Sequence, residues 1–233
     1  ATHSTLLLAL PIRFVAGKMM IVRAMVSKSR LVVVSPSSNP LKVLHEKIHF
    51  AAFTPHQMQT ILNQNPEKLN LIDKVILGGS PVSRELEKRI WHLKCKVYET
   101  FGMSETLTHF AVRPLNGPQL DQAFEVLEGF SIDTNSGGQL CVYGEHLPVR
   151  KLTTNDIVKK VSANRFIWIG RLDDVINSGG IKVHPHEIEK SIDFLIKSPF
   201  AIGKMKHKVF DWVPVLVLQS DPLSPENELV LLQ

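Results

Sequence analysis

Short apolar, β-branched runs alternate with longer amphipathic stretches through residues 5–100, and this constrains the fold more than any other feature of the chain. The runs Leu6–Leu10, Leu31–Val34, Ala51–Phe53, Lys74–Leu77 and Lys96–Tyr98 have the length and composition of buried strands. Thr54-Pro55-His56-Gln57 predicts a helix start: Thr54 caps, Pro55 fits the first turn, and Gln57 reaches back to complete a capping box. Val82, Leu86, Ile90 and Leu93 recur at steps of four, four and three, which places them on one helical face. Strands separated by helices at intervals of roughly 15 to 25 residues need crossover connections, and so a largely parallel sheet. Ligands of such sheets bind beyond the C-terminal ends of the strands. That rule points to Gly78-Gly79-Ser80-Pro81 and to Glu99–Glu105.

From residue 110 to 172 the helical period fades, Gly and Pro become frequent, and Gln139–Tyr143 and Arg165–Ile169 predict antiparallel strands. A new pattern begins near Gly170-Arg171-Leu172-Asp173-Asp174. It continues with a Gly pair, a Pro-started helix from Pro185 to about Ile196 with Glu187 and Glu189 in its favourable first turn, and a strand at Val213–Leu218. The expected fold class is α/β: a largely parallel sheet with crossover helices and a small β-rich subdomain, followed by a small mobile α+β domain. In residue terms these are a large domain over 1–172, divided into the sheet at 1–109 and the β-rich part at 110–172, and a small domain over 173–233.

Composition narrows the function classes. With 44% hydrophobic and 21% charged residues, the chain has the balance of an ordinary globular protein. No apolar run approaches the ~20 residues of a membrane span, and Leu6–Leu10 lacks the flanks of a secretory signal. Cys95 and Cys141 have no metal-ligand spacing around them and read as reduced structural thiols, consistent with a cytoplasmic location. The net charge of +5 is spread along the chain, and its densest cluster, Lys204, Lys206, His207 and Lys208, has few aromatics near it. An anionic small ligand fits this pattern better than nucleic acid. No G-x-G-x-x-G follows a strand, which argues against a dinucleotide dehydrogenase. The oligomeric state is not legible.

Four segments could carry chemistry. In Gly78-Gly79-Ser80-Pro81, two glycines let backbone approach a flat ligand ahead of a helix N-terminus, although a plain tight turn explains them equally well. Tyr98–Thr106 combines an aromatic for stacking, a glycine, a hydroxyl able to bond phosphate and a carboxylate able to hold Mg²⁺; a capped loop with an exposed Glu is the plain alternative. Asp156 with Arg171 could take the hydroxyls of a ribose, or could simply be a structural ion pair. The fourth segment runs unbroken from Gly170 to Glu189 and reads GRLDDVINSGGIKVHPHEIE.

That last segment resembles the hinge-and-loop signature of the acyl-adenylate-forming superfamily, which comprises acyl-CoA synthetases, firefly-type luciferases and peptide-synthetase adenylation domains. The other three segments fall in the order and spacing of that family. Leu10-Pro11-Ile12-Arg13-Phe14-Val15-Ala16-Gly17 resembles its segment beginning Leu-Pro; the short spacing between motifs, Ala16-Gly17-Lys18-Met19-Met20 and Ile176–Gly180 together are most similar to the o-succinylbenzoate–CoA ligase branch of menaquinone biosynthesis. The resemblance implies an AMP-forming acid–thiol ligase that uses ATP, Mg²⁺ and CoA on a small carboxylic acid. It implies that Gly78, Gly79 and Ser80 line the adenine pocket and that Phe101, where the family more often has Tyr, stacks on the base beside Gly102. Ser104 would contact the α-phosphate, Glu105 would hold the metal, and Asp156 and Arg171 would bind the ribose. Asn155 stands where the family usually has Gly. Asp173 would be the pivot of the small domain, Gly179 and Gly180 would line the CoA channel, and Phe14 would belong to the acyl pocket.

The family's Ser/Thr/Gly-rich phosphate loop and its C-terminal lysine segment match nothing between Ala1 and Gln233, so both are expected outside the sequence given. Other acids, a carrier protein as acceptor, or a catalytically silent nucleotide-binding fragment remain as alternatives.

Overall fold

The structure, a computed structural model, describes residues 4–118, 121–196 and 198–219. Residues 220–233 of the expected small domain lie outside the described residues. In chain order the elements are β1 (Thr5–Leu8), α1 (Val15–Val26), β2 (Arg30–Val33), β3 (Ile48–Phe53), α2 (Pro55–Gln64), β4 (Ile72–Leu77), α3 (Arg84–Ile90), β5 (Lys96–Gly102), β6 (His109–Pro114) and β7 (Phe124–Val126). They continue with β8 (Ser131–Thr134), β9 (Gln139–Tyr143), β10 (Lys151–Ser162), β11 (Arg165–Arg171), β12 (Ile176–Ser178), β13 (Ile181–Val183), α4 (Pro185–Ile192), β14 (Phe200–His207) and β15 (Asp211–Leu218).

The chain divides into two compact units. The first comprises 1–133, 142–152 and 160–167; the second comprises 134–141, 153–159 and 168–233. Within the first unit the strands run in the order β2-β1-β3-β4-β5-β6-β7-β11. Pairing is parallel from β2 through β5 and antiparallel from β5 onward. The sequence expectation of a parallel sheet followed by an antiparallel, β-rich stretch is met here. The near-continuous apolar runs are explained by burial on both faces. Leu6 and Leu8 face α1 with Met20 and Ala24, whereas Leu7 and Ala9 face the other side with Leu41, Met58, Ile61, Leu86 and Ile90.

Local signals placed the start of α2 well. Thr54 Oγ1 accepts from Gln57 N–H at 3.1 Å and Gln57 Oε1 accepts from Thr54 N–H at 3.1 Å, the reciprocal capping box. Gln57 also donates to Ser37 O at 2.8 Å, so the cap is tied to the loop after β2. Leu86 and Ile90 are buried on one face of α3, as their spacing predicts, whereas Val82 and Leu93 reach the same core from outside the helix, which runs only over Arg84–Ile90.

In the second unit, β13-β12-β15-β14 form an antiparallel sheet beside α4. Helix α4 ends at Ile192 rather than near Ile196, because Leu195 N–H bonds Ile192 O at 2.8 Å, an i to i+3 contact that tightens the chain into a turn. Phe194 and Leu195 are left exposed. Glu187 alone is the acidic residue of the first turn; Glu189 instead accepts from Ile202 N–H at 2.8 Å. Among the described residues, no helix is long and apolar enough to cross a membrane.

Candidate functional site

In the first unit, the turn after β4 is pinned from β5. Thr100 Oγ1 donates to Leu77 O at 2.9 Å and stands where a Cβ on Gly78 would have to go. Gly79 has φ +94°, a region that L side chains rarely adopt. The next turn is held by Glu99, a buried carboxylate: Val82 N–H donates to Oε1 at 2.9 Å and Arg113 Nε to Oε2 at 2.5 Å. Arg113 also pairs with Glu87 on α3. Burial pushes Glu99 above the usual carboxylate range, against the opposing pull of Arg113 and the Val82 N–H. Burial also lowers Arg113, yet the two carboxylates outweigh it and hold the guanidinium above its ordinary value. Ser80 is exposed at the tip of the turn these groups fix.

At the end of β5, Phe101 is half-buried, and the rings of Phe110, Phe124 and Phe166 meet it edge-on at centroid distances of 5.7, 5.2 and 5.2 Å. Gly102 sits at a register shift, and a Cβ there would strike the backbone of Thr108 and His109. Close approach of the chain to itself therefore already requires this glycine. Ser104 and Glu105 are exposed on the single turn that follows, and among the described residues no hydrogen bond or ion pair engages the Glu105 carboxylate. Thr106, which the sequence reading passed over, anchors that turn: buried, it accepts from Met103 N–H at 3.1 Å and reaches Thr108 O at 2.7 Å. An exposed carboxylate with no partner among the described residues is a fitting ligand for Mg²⁺, which takes one or two carboxylates with phosphate oxygens and water.

Two further groups in this unit were missed. Arg23 on α1 is half-buried, touches Met20 Sδ at 3.2 Å and lies over the Phe50 ring at 4.8 Å, with no carboxylate partner among the described residues. Burial lowers its pKa. Its field reaches His109, whose pKa falls to about 4, first through burial and then through Arg23. A desolvated cation lacking an anion has no spacing signature, so only packing exposes it. Phe14 is exposed at the N-cap of α1 with the Arg13 guanidinium 4.8 Å from its ring centroid.

In the second unit Asp156 is buried on β10, and Trp168 Nε1–H donates to its Oδ1 at 3.0 Å. Arg171 pairs with Asp173, Nη2 to Oδ2 at 3.2 Å, rather than forming the structural ion pair with Asp156. Asn155 Nδ2 contacts both oxygens of Asp173, at 3.3 and 3.2 Å, so the residue that departs from the family's Gly clamps the expected pivot. Gly179 and Gly180, with φ +57° and +90°, form a two-residue hairpin turn between the paired Ser178 and Ile181. Positive φ at both central positions is the demand of a type I′ turn. The Phe210 ring occupies the place of a Gly179 side chain.

Comparison with known proteins supplies context for these residues. Residues 1–145 match the family described as AMP-binding enzyme. A 2-succinylbenzoate–CoA ligase of Staphylococcus epidermidis is 24% identical over 248 residues, covering 95% of this chain and 52% of that protein. The chain thus spans about half the length of the curated relatives it matches. A solved acyl-CoA synthetase (AMP-forming)/AMP-acid ligase II-like protein from Dyadobacter fermentans is 33% identical with a TM-score of 0.70, covering 98% of this chain and 67% of that one. The o-succinylbenzoate coenzyme A synthetase of Bacillus subtilis, solved with ATP and magnesium ion, shares the fold with a TM-score of 0.76 at 18% identity, over 97% of this chain and 54% of that one.

Proposed function

Because the chain belongs to the AMP-binding enzyme family, we propose that it is the part of an AMP-forming acid–CoA ligase that carries the adenylate pocket and the small domain, acting in the cytoplasm on o-succinylbenzoate in menaquinone biosynthesis. The single observation that carries the substrate reading is Arg23, a half-buried guanidinium with no carboxylate of its own among the described residues. Such a cation suits an acid with a second carboxylate, one to be activated and one to be gripped. The neutral His109 nearby leaves that grip uncontested by a second positive charge.

In this reading Gly78, Gly79 and Ser80 edge the adenine, Phe101 stacks on it beside Gly102, Ser104 bonds the α-phosphate, and Asp156 and Arg171 take the ribose hydroxyls. Glu105 holds Mg²⁺, which neutralises phosphate charge when bound. The substrate carboxylate attacks the α-phosphorus, giving acyl-AMP and pyrophosphate; the CoA thiol then attacks the acyl carbon and releases AMP. The protein contributes positioning and fixed charge rather than a covalent group. Asp173 is the pivot between the two steps, Gly179 and Gly180 flank the pantetheine arm, and Phe14 edges the acyl pocket.

Acid-dependent ATP–pyrophosphate exchange over a panel of o-succinylbenzoate, benzoate and aliphatic acids tests the substrate. Thioester formation with CoA against a phosphopantetheinylated carrier protein tests the acceptor. Exchange that prefers o-succinylbenzoate and a product on CoA are expected. AMP binding without exchange for any acid would identify a silent nucleotide-binding protein instead.

A further inference from the structure

Asp156 has only one oxygen engaged. Oδ1 accepts from the Trp168 indole at 3.0 Å, and Oδ2 accepts nothing among the described residues. The indole itself is backed by a second ring: the His186 imidazole lies 4.7 Å away, centroid to centroid, at 58°. His186 stands in the first turn of α4, with Nδ1 3.8 Å from Glu189 Oε2, while Glu189 Oε1 accepts from Ile202 N–H of β14 at 2.8 Å. Trp168, His186, Glu189 and Ile202 all line one cleft of ≈ 410 Å³, which also includes Arg171 and Lys204. A chain of contacts therefore runs from β14 through α4 to the one buried carboxylate of β10.

The terminal torsion of an aspartate is soft and roughly two-fold, so its plane is set by its partners rather than by rotamer preference. We propose that Trp168 is a positioning residue that fixes the plane of the Asp156 carboxylate and leaves Oδ2 to accept from a vicinal diol, and that His186 seats the indole. The role rests on the reading of Asp156 as the ribose ligand; Trp168 itself touches no reacting atom. Because His186 follows Asp173 in the chain and Trp168 precedes it, the order of the ribose contact is coupled to the seat of α4.

Two readouts separate this proposal from the functional reading beneath it. The first is the indole ¹H–¹⁵N resonance of Trp168 in the ligand-free protein, assigned by its loss in Trp168→Phe. Asp156→Asn and His186→Ala should each shift it; a resonance unmoved by Asp156→Asn overturns the proposal whatever the protein does. The second is ATP–pyrophosphate exchange. Trp168→Phe keeps an aromatic ring but loses the N–H, and should raise the KM for ATP about tenfold, the scale of one hydrogen bond to a charged group, with kcat nearly unchanged. Adding His186→Ala to Trp168→Phe should cost nothing further. An unchanged KM for ATP, or fully additive effects, overturns the relay, whereas an Asp156→Ala protein with parental nucleotide affinity removes the ribose assignment instead.

Discussion

Replacing Arg113 with Met removes the only cation among the described residues that is bonded to Glu99, a carboxylate that is 6% exposed. Methionine keeps an unbranched stem, so the substitution chiefly deletes charge and donors. Glu99 is left with the Val82 N–H alone, and breaking a buried pair this way costs about 3–5 kcal/mol. Glu87, a third exposed, adds little to that figure. At about 2–4 °C per kcal/mol for a chain of this length, the calorimetric Tm should fall by roughly 6–20 °C. The loss should shrink in acid. Burial already raises Glu99 in the folded state, and without Arg113 it rises further. Above the ordinary glutamate value of 4.5 the folded variant then binds more proton than the unfolded chain. Its stability therefore climbs as pH falls through the raised pKa, and the deficit against the parent narrows. Adding Glu99→Gln removes the stranded charge yet keeps an acceptor for Val82, and should recover most of the lost stability. A single variant within about 2 °C of the parent, or a double variant no more stable than the single, would refute this account of the network.

Three other outcomes are expected. Glu105→Ala should depress ATP–pyrophosphate exchange about a hundredfold or more while leaving the Tm unchanged, since the carboxylate is exposed and unbonded among the described residues; exchange at the parental rate would end the metal assignment. Asp173→Pro should spare exchange and stop thioester formation, read by chromatography of the CoA product, because a pivot must absorb a large backbone rotation; equal loss of both steps would point to a static role. His109, held to about 4 against an ordinary 6.5, stays neutral in the fold while the unfolded chain protonates. Stability should therefore fall as pH drops from 6.5 toward 4, and His109→Gln should flatten that slope in denaturant titrations.

What the sequence disclosed was local. The capping box at Thr54 and the inward face of Leu86 and Ile90 on α3 are written within a few residues and formed as expected. Strands buried on both faces announce themselves as continuous apolar runs, and β1, β3 and β4 sit where those runs lie. Helix α1 was not legible, because Met20 and Ala24 turn inward while Val22, Met25 and Val26 are exposed, which blurs the period. The twelve-residue β10 was missed because polar residues such as Lys159, Lys160 and Ser162 occupy its exposed half. In each unit candidate residues were named from pattern, but the groups that fix the buried carboxylates Asp156 and Glu99 come from distant sequence. Trp168 lies twelve residues from Asp156 and Arg113 fourteen from Glu99, so their pairing exists only after the strands are aligned.

The three phenyl edges around Phe101 bear on the thermodynamics of anything that settles against it. Each edge-on contact contributes about 0.5–1.5 kcal/mol beyond area burial, and together they hold the ring against rotation before a visitor arrives. On the role proposed for Phe101, a planar guest would meet a surface already stiff, which spares the roughly 0.5–1.5 kcal/mol of side-chain ordering that a mobile aromatic would forfeit. Phenylalanine also brings no hydroxyl to strip of water, so the platform's hold on a flat ring should vary little with pH or salt.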